Sequence, residues 1–350
     1  MTGLVVALPP ASNFPAGSLT YAFYAAAVLK APIYAPGGIA SEFCPEHIRV
    51  NYCKDLSDNI KYDFSLVTPV SNELMEYIDR LPRPIIVVVH DGHTLYEFGG
   101  KDWVNKVDGF LVDVDPTISC ILKMANNASV LRIQLPYVRR PFSQYSEFPI
   151  WDNKKNIIVS LGRIVPDRGH RLVATLCSMG YNVLVVGQEV RHDEYGLYYK
   201  KILDAGANII PTPSDSEKFE ILGSAKIAMG FSFTQEVDEP VEYSNCECIN
   251  MGCYPIVANW QKRYFDDAGF SFNSIESPAA APQYIDRMFS DNEYYIGCCK
   301  YNISVLDNYS RQFGVRFEKF VSELKNRVNC SNCGAIIPVR SMYCAICGKK

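Results

Sequence analysis

The stretch "NIIVSLGRIVPDRG", residues 156–169, carries the reading of the fold. A short apolar run closes at Gly162, and Arg163 and Arg168, five apart, stand between that glycine and Gly169. A strand that ends in a glycine turn with cations beside it, and a helix after it, is the usual physical answer to a bound phosphate. "GHRLVATLCSMG" supplies the helix pattern and "YNVLVVG", ending at Gly187, the next strand, so the stretch opens a βαβ unit. Arginine's planar fork can hold a diphosphate bidentately. A Gly-Arg turn can equally be a plain solvated loop, so the neighbouring stretches have to decide.

The alternation extends both ways. Downstream, "YGLYYKKILDAG" and "DSEKFEILGSA" read as helices, "ANIIPT" and "KIAMGFS" as strands. Upstream, "LVVALP", "APIYAP", "FSLVT", "PIIVVVH" and "VDGFLVDVD" read as strands, "SLTYAFYAAAVLKA" and "SNELMEYIDRL" as helices. Strands apolar on both faces and separated by helices imply parallel sheets covered on both sides. The expected fold is therefore α/β, with two Rossmann-like doubly wound domains facing a cleft and joined by a Pro- and aromatic-rich linker near residues 137–155. The domain boundaries expected are 1–145, 146–290, a helical pair over 291–328 that packs back on the first domain, and a small module over 329–350.

Composition narrows the function classes. A chain of 350 residues with 48% hydrophobic content can bury more than one core. No run approaches the roughly 18 apolar residues of a membrane span, and "MTGLVVALPPASNF" lacks the basic start and cleavage site of a signal peptide, so a cytoplasmic location is expected. The net charge of −4 gives no global attraction to nucleic acid or acidic membranes. From Arg311 to Lys350, however, eight Lys or Arg face only Glu318 and Glu323. That is where contacts with a phosphate backbone would be sought.

In "EPVEYSNCECINMGCYPIV", residues 239–257, Glu239 and Glu247 are separated by seven residues and Gly252 follows five later. If Tyr243 to Met251 is helical, Glu247 shares a face with Tyr243 and Met251, an acid among partly buried groups. A carboxylate there accepts the two hydroxyls of a ribose well, though an ordinary charged helix face would hold such glutamates too.

Together, "GRIVPDRG", the Glu-x7-Glu pair, Gly252 and "YPIV" resemble the retaining GT-B glycosyltransferases of the glycogen-synthase and sucrose-synthase-like class. The resemblance implies that Arg163 and Arg168 bind the diphosphate of a UDP-sugar, Glu247 its ribose and Glu239 the donor sugar. A lysine is commoner in the class at the position of Arg168. Gly187 and Gly17, the latter before a helix N-terminus in "NFPAGSLTYAF", are candidates for close backbone approach to the nucleotide-sugar. Residues 146–290 would then be the nucleotide-sugar domain and residues 1–145 the acceptor-side domain.

"PIIVVVHDGH" ends a strand with His90, Asp91 and His93, three titratable groups where open α/β sheets place their ligands. Taken with "VEYSNCECINMGCYP", the stretch looks like the DNA α-glucosyltransferases of T-even bacteriophages, a narrower group. This resemblance implies 5-hydroxymethylcytosine in duplex DNA as acceptor, Asp91 as base toward its hydroxyl, His90 as a donor-sugar contact, and the host cytoplasm as location. The chain departs from that group in its complete Glu-x7-Glu and in its C-terminal module, which leaves the acceptor and the sugar open. A glycan, lipid or small-molecule acceptor is the alternative, and a non-catalytic binding protein of the same fold a second. Retaining transfer needs fixed cations for the leaving diphosphate, which the arginines supply, so a divalent cation is optional. "DVD", Asp113 to Asp115, lies at the end of a first-domain strand.

"CSNCGAIIPVRSMYCAICGKK" carries Cys330, Cys333, Cys344 and Cys347 as two Cys-x2-Cys pairs ten residues apart. Four thiolates at this spacing suit a tetrahedral structural zinc, and the segment resembles a zinc ribbon. It would serve either protein docking or DNA binding. The other nine of the thirteen cysteines are expected as reduced, buried apolar fillers.

Overall fold

The computed structural model describes residues 1–9, 17–53, 55–56, 61–90, 92–140, 150–188, 193–229, 240–329 and 336–338. The chain divides into two units, Met1–Val138 with Ser310–Lys350, and Arg139–Tyr309.

The first unit is built on a seven-stranded sheet: β1 (Gly3–Val6), β2 (Ile33–Tyr34), β3 (Tyr52–Cys53), β4 (Phe64–Val67), β5 (Ile85–Val89), β6 (Gly109–Val112) and β7 (Val130–Arg132). Their order is β3-β2-β1-β4-β5-β6-β7, and every pairing is parallel. Parallel neighbours need crossovers, and these carry α1 (Gly17–Leu29), α2 (Leu74–Tyr77), α3 (Gly92–Glu97), α4 (Gly100–Trp103) and α5 (Asp115–Met124). Because both faces are covered, β4, β5 and β6 are buried at every residue, which is why "IIVVV" is apolar throughout rather than alternating.

The second unit repeats the plan with six parallel strands: β8 (Lys155–Leu161), β9 (Asn182–Gly187), β10 (Asn208–Pro211), β11 (Ala225–Met229), β12 (Tyr254–Ala258) and β13 (Asn273–Ile275). Their order is β10-β9-β8-β11-β12-β13. Its helices are α6 (His170–Ala174), α7 (Asp193–Asp204), α8 (Asp215–Ser224), α9 (Tyr243–Asn250), α10 (Lys262–Ala268) and α11 (Pro282–Ser290). In both sheets the strand order reverses direction beside the first strand of the unit, between β1 and β4 and between β8 and β11. Crevices for ligands open at the carboxyl ends of such switch points.

The chain then forms α12 (Asn292–Lys325) and an antiparallel pair of strands, β14 (Arg327–Asn329) and β15 (Ile336–Pro338). The expected helical pair is thus one helix of 34 residues. The reason is an unbroken apolar stripe: Tyr295, Cys299, Ile303, Leu306, Tyr309, Phe313, Phe317, Phe320 and Leu324 are all buried at steps of three or four. Gly297 and Gly314 leave that stripe in register, and a helical glycine of this kind costs only about 1 kcal/mol. From Ser310 onward α12 belongs to the first unit, where Phe317 meets Phe64 of β4 edge to face, ring centroids 4.9 Å apart.

Two further helices are shorter than their patterns. "SNELMEYIDRL" is helical only over α2, and "GHRLVATLCSMG" is α6 followed by a 3-10 turn over Thr175–Met179 that ends at Gly180. The cysteine expectation is also corrected. Cys246, Cys248, Cys253 and Cys299 are buried, but Cys44, Cys53, Cys120, Cys177 and Cys298 are half-buried at the edges of packed surfaces; all nine are free thiols. No described helix is long and apolar enough to cross a membrane.

Candidate active site

In the second unit the turn after β8 is held from inside. Ser160 Oγ and His170 Nδ1 are hydrogen-bonded at 2.8 Å, and His170 Nε2 donates to the carbonyl of Arg163 at 3.0 Å. A carbonyl can only accept, so the buried imidazole carries a proton on Nε2. The turn also continues the pairing with β9, through Gly162 N–H to Val186 O and Ile164 N–H to Gln188 O. Gly187 is required here: a Cβ on it would sit 1.7 Å from the Gly162 carbonyl oxygen. Its lack of a side chain therefore serves the approach of two backbone segments. Arg163 is left exposed above this anchored backbone.

Arg168 is not free. One Nη of its guanidinium lies 2.6 and 2.8 Å from the two carboxylate oxygens of Glu242, the residue before α9. Glu242 is itself tied to α9, because its backbone N–H donates to Asn245 Oδ1. Glu247 lies half-buried on α9, as its spacing implies, and receives Lys218 Nζ of α8 at 2.7 Å. Lys218 also reaches Asp215 at 3.1 Å, and Asp215 accepts from the buried Arg140 at 2.6 Å. Arg140 stacks on Phe219, 4.4 Å from the ring centroid. Burial alone would lower the Lys218 pKa, but Glu247 and then Asp215 outweigh it and hold the ammonium above its ordinary value. Burial would likewise raise Asp215; Lys218 and Arg140 outweigh it and hold the carboxyl low.

A third cation fixes the end of α9. The buried Lys154 ammonium donates to the carbonyls of Leu222 at 3.0 Å, Ala225 at 2.6 Å and Met251 at 2.6 Å, joining α8, β11 and α9. Burial pushes its pKa below that of an ordinary lysine. Gly252 then ends the helix at φ +74°, packed so closely on Trp151 that a Cβ would lie 2.9 Å from the indole.

In the first unit, His90 follows β5 and its Nδ1 lies 3.0 Å from Asp113 Oδ2, just after β6. Asp115 pairs with Arg132 at 3.1 Å, so both acids of "DVD" have partners. Gly17 opens α1 with nothing within 4 Å of the position a Cβ would take. Several C-terminal cations are engaged within this unit. Arg316 donates to Arg132 O at 2.6 Å and Gln134 at 3.1 Å, Lys325 pairs with Asp63 at 2.6 Å, and Arg327 donates to Ser129.

The structure therefore sets Arg168 against Glu242 at the start of α9, puts Glu247 further along that helix, and packs Gly187 against the Gly162 carbonyl in the second unit; in the first unit His90 follows β5. Asp91, Glu239, Cys330, Cys333, Cys344 and Cys347 lie outside the described residues. Among the described residues no group of three or more His, Cys, Asp or Glu is placed to hold a metal. Sequence reasoning missed Glu242, Lys218, Asp215, Arg140, His170 and Lys154. Only the spacing of Lys218 three after Asp215 could have drawn attention to any of them.

No family model matches the chain, and no curated protein does. Solved structures do match. An α-glucosyltransferase in complex with UDP and a 13-mer DNA containing an HMU base aligns with a TM-score of 0.68 at 14% identity over 92% of this chain and 100% of that one. Anabaena HepE in complex with UDP and glucose aligns at 0.65 and 12%, over 91% and 99%. Sucrose-phosphate synthase from Thermosynechococcus elongatus aligns at 0.64 and 12%, over 93% and 99%. The chain has the two Rossmann-like domains of the GT-B fold.

Proposed function

We propose that the protein is a glycosyltransferase that moves a sugar from a UDP-sugar with retention, onto 5-hydroxymethylcytosine or a similar hydroxymethylated base in DNA. The observation that carries the transferase reading is the turn after β8. It holds Arg168 beside α9, on which Glu247 is fixed by Lys218, in a fold shared with proteins whose solved complexes contain UDP. The DNA acceptor draws its support from the fold shared with the DNA-bound α-glucosyltransferase and from the "HDGH" stretch.

The roles follow from the chemistry. Arg163 and Arg168 neutralise the leaving diphosphate, Glu247 accepts the ribose hydroxyls, and Glu239 and His90 contact the donor sugar, with Gly17 and Gly187 admitting close backbone approach. Asp91 takes the proton of the acceptor hydroxyl as its oxygen joins the same face of the sugar. The chemistry is carried by fixed cations, and a divalent cation is optional to it. The C-terminal cysteines hold a structural zinc.

One observation favours a second acceptor class, a glycan, lipid or small molecule. Arg316, Lys325 and Arg327, part of the basic C-terminal stretch, are spent on contacts within the first unit. Nucleoside mass spectrometry after incubating the zinc-loaded protein with UDP-sugars and duplex DNA, with or without 5-hydroxymethylcytosine, separates the two. A mass gain of one sugar on hydroxymethylated DNA alone is the expected result. Donor turnover with no gain on any DNA would move the acceptor to the second class, and absence of donor binding would overturn the transferase reading.

A further inference from the structure

The register Val89↔Val112 sets β5 and β6 side by side, so the residues that follow, His90 and Asp113, emerge together at the carboxyl edge of the first unit's sheet. Asp113 Oδ2 faces His90 Nδ1 at 3.0 Å. A carboxylate accepts, so Nδ1 carries the hydrogen and donates, and in the neutral ring the lone pair is left on Nε2. Nε2 is buried and has no hydrogen-bond partner among the described residues, and neither has the second carboxylate oxygen, Oδ1 of Asp113. Tyr21 of α1 stands edge-on to the imidazole, centroids 5.3 Å apart, and limits the ring's rotation. Buried polar atoms in folded proteins nearly always find partners, and two orphaned acceptors at one strand edge call for donors from a ligand. An anion such as phosphate offers none to them. Hydroxyl groups do.

We propose that His90 and Asp113 form a hydroxyl-binding pair in which Nε2 accepts from a sugar-type hydroxyl of the substrate and Asp113 is the positioning residue that fixes the imidazole tautomer. The inference rests on the transferase reading and adds to it the residue through which His90 is made an acceptor. "DVD" thereby acquires a use: Asp113 serves His90 while Asp115 serves Arg132. Two sources could supply the hydroxyl, the donor sugar and the acceptor, and they call for the same chemistry at Nε2.

The test compares the full chain with Asp113→Asn, His90→Gln and the double variant. Nitrogen-15 spectra of histidine-labelled protein should show His90 protonated on Nδ1 and bare on Nε2 in the wild type, and a changed tautomer population in Asp113→Asn. Calorimetry with UDP and UDP-glucose reads the donor, and transfer kinetics read the acceptor. If the donor sugar supplies the hydroxyl, Asp113→Asn binds UDP-glucose about tenfold more weakly with UDP affinity unchanged. If the acceptor supplies it, donor binding holds and the acceptor KM rises by about tenfold. In either case the double variant should be no worse than His90→Gln, because Asp113 acts through the ring. Unchanged donor binding and unchanged acceptor KM in both single variants would overturn the pair. A wild type that binds neither UDP nor UDP-glucose would instead overturn the transferase reading, and this inference with it.

Discussion

Lys218 Nζ lies 2.7 Å from Glu247 Oε1 and 3.1 Å from Asp215 Oδ1, so a single ammonium joins α8 to α9 and fixes the acid proposed as the ribose ligand. Both side chains of the Lys218–Glu247 pair are more than three-quarters buried, which makes removal of one partner more damaging than at a solvated pair. Lys218→Met should destabilise the protein by about 2 kcal/mol, read from the urea midpoint, and should weaken UDP more than free phosphate. A midpoint within error of wild type would mean that water screens the pair.

The same network predicts a pH signature. Asp215 is held low, so its contribution is present above the unfolded carboxyl value of about 3.9 and is lost as pH falls through the folded one. Lys218 is held high, so its contribution is full below about pH 10.4 and is lost as pH rises through its folded value. The stability gap between wild type and Asp215→Asn should therefore be flat from pH 6 to 8, within the range, and close below about pH 4. Thermal melts across that range measure it, and a gap that widened in acid would reverse the sign.

What was legible in the sequence was local. "NIIVSLG" became β8 and "PIIVVVH" became β5 because a buried parallel strand must be apolar on both faces. The helical period that sets Glu247 among partly buried groups agrees with its half-buried place on α9. The partners that give these residues their chemistry were not legible: Lys218 is 29 positions from Glu247, and Arg168 is 74 from Glu242. No period links such pairs; only the strand order does. Helix lengths failed for a related reason. Where α12 ends depends on which surfaces its stripe meets, and Tyr295 and Phe317 find theirs in different units.

Arg168 is paired with Glu242, so a diphosphate bound there as proposed would have to share or displace that carboxylate. Arg168→Ala should weaken UDP by roughly 10- to 100-fold while leaving uridine unaffected, the loss expected for a charge-assisted hydrogen bond. Glu242→Gln should act oppositely and tighten UDP several-fold, provided its contact with Asn245 survives. Equal losses for uridine and UDP in Arg168→Ala would assign the arginine to loop structure alone.

Gly187→Ala tests the backbone approach beneath that turn. The added methyl would fall 1.7 Å from the Gly162 carbonyl, and backbone on both sides cannot yield as a flexible side chain would. Overpacking of this kind costs about 1–3 kcal/mol, and the shift it forces at Gly162 should lower UDP affinity as well. A variant of wild-type stability would show that β8 and β9 separate easily at their ends.

Lys154 presents the sharpest contest between opposing terms. Its ammonium is withdrawn from solvent, which is costly, yet it satisfies carbonyls at Leu222, Ala225 and Met251 that mark the ends of α8 and α9 and the start of β11. Lys154→Met removes the charge with little change of volume. The single S–H of Cys253, 3.3 Å from Leu222 O and 3.4 Å from Ala225 O, can donate to only one of them at a time, so Met251 O and one of the other two lose their side-chain donor. Each unsatisfied buried carbonyl costs about 1–3 kcal/mol, and relief of the buried charge offsets part of the sum. The expected loss is therefore about 2 kcal/mol for Lys154→Met. Lys154→Ala adds a cavity against Trp151 and should lose about 3 kcal/mol or more. Hydrogen exchange locates the effect: amides at the end of α9 should lose protection first, because Met251 O loses its donor whichever carbonyl the thiol serves. Uniform loss across the second unit would show instead that the ammonium supports the whole core and not one helix end.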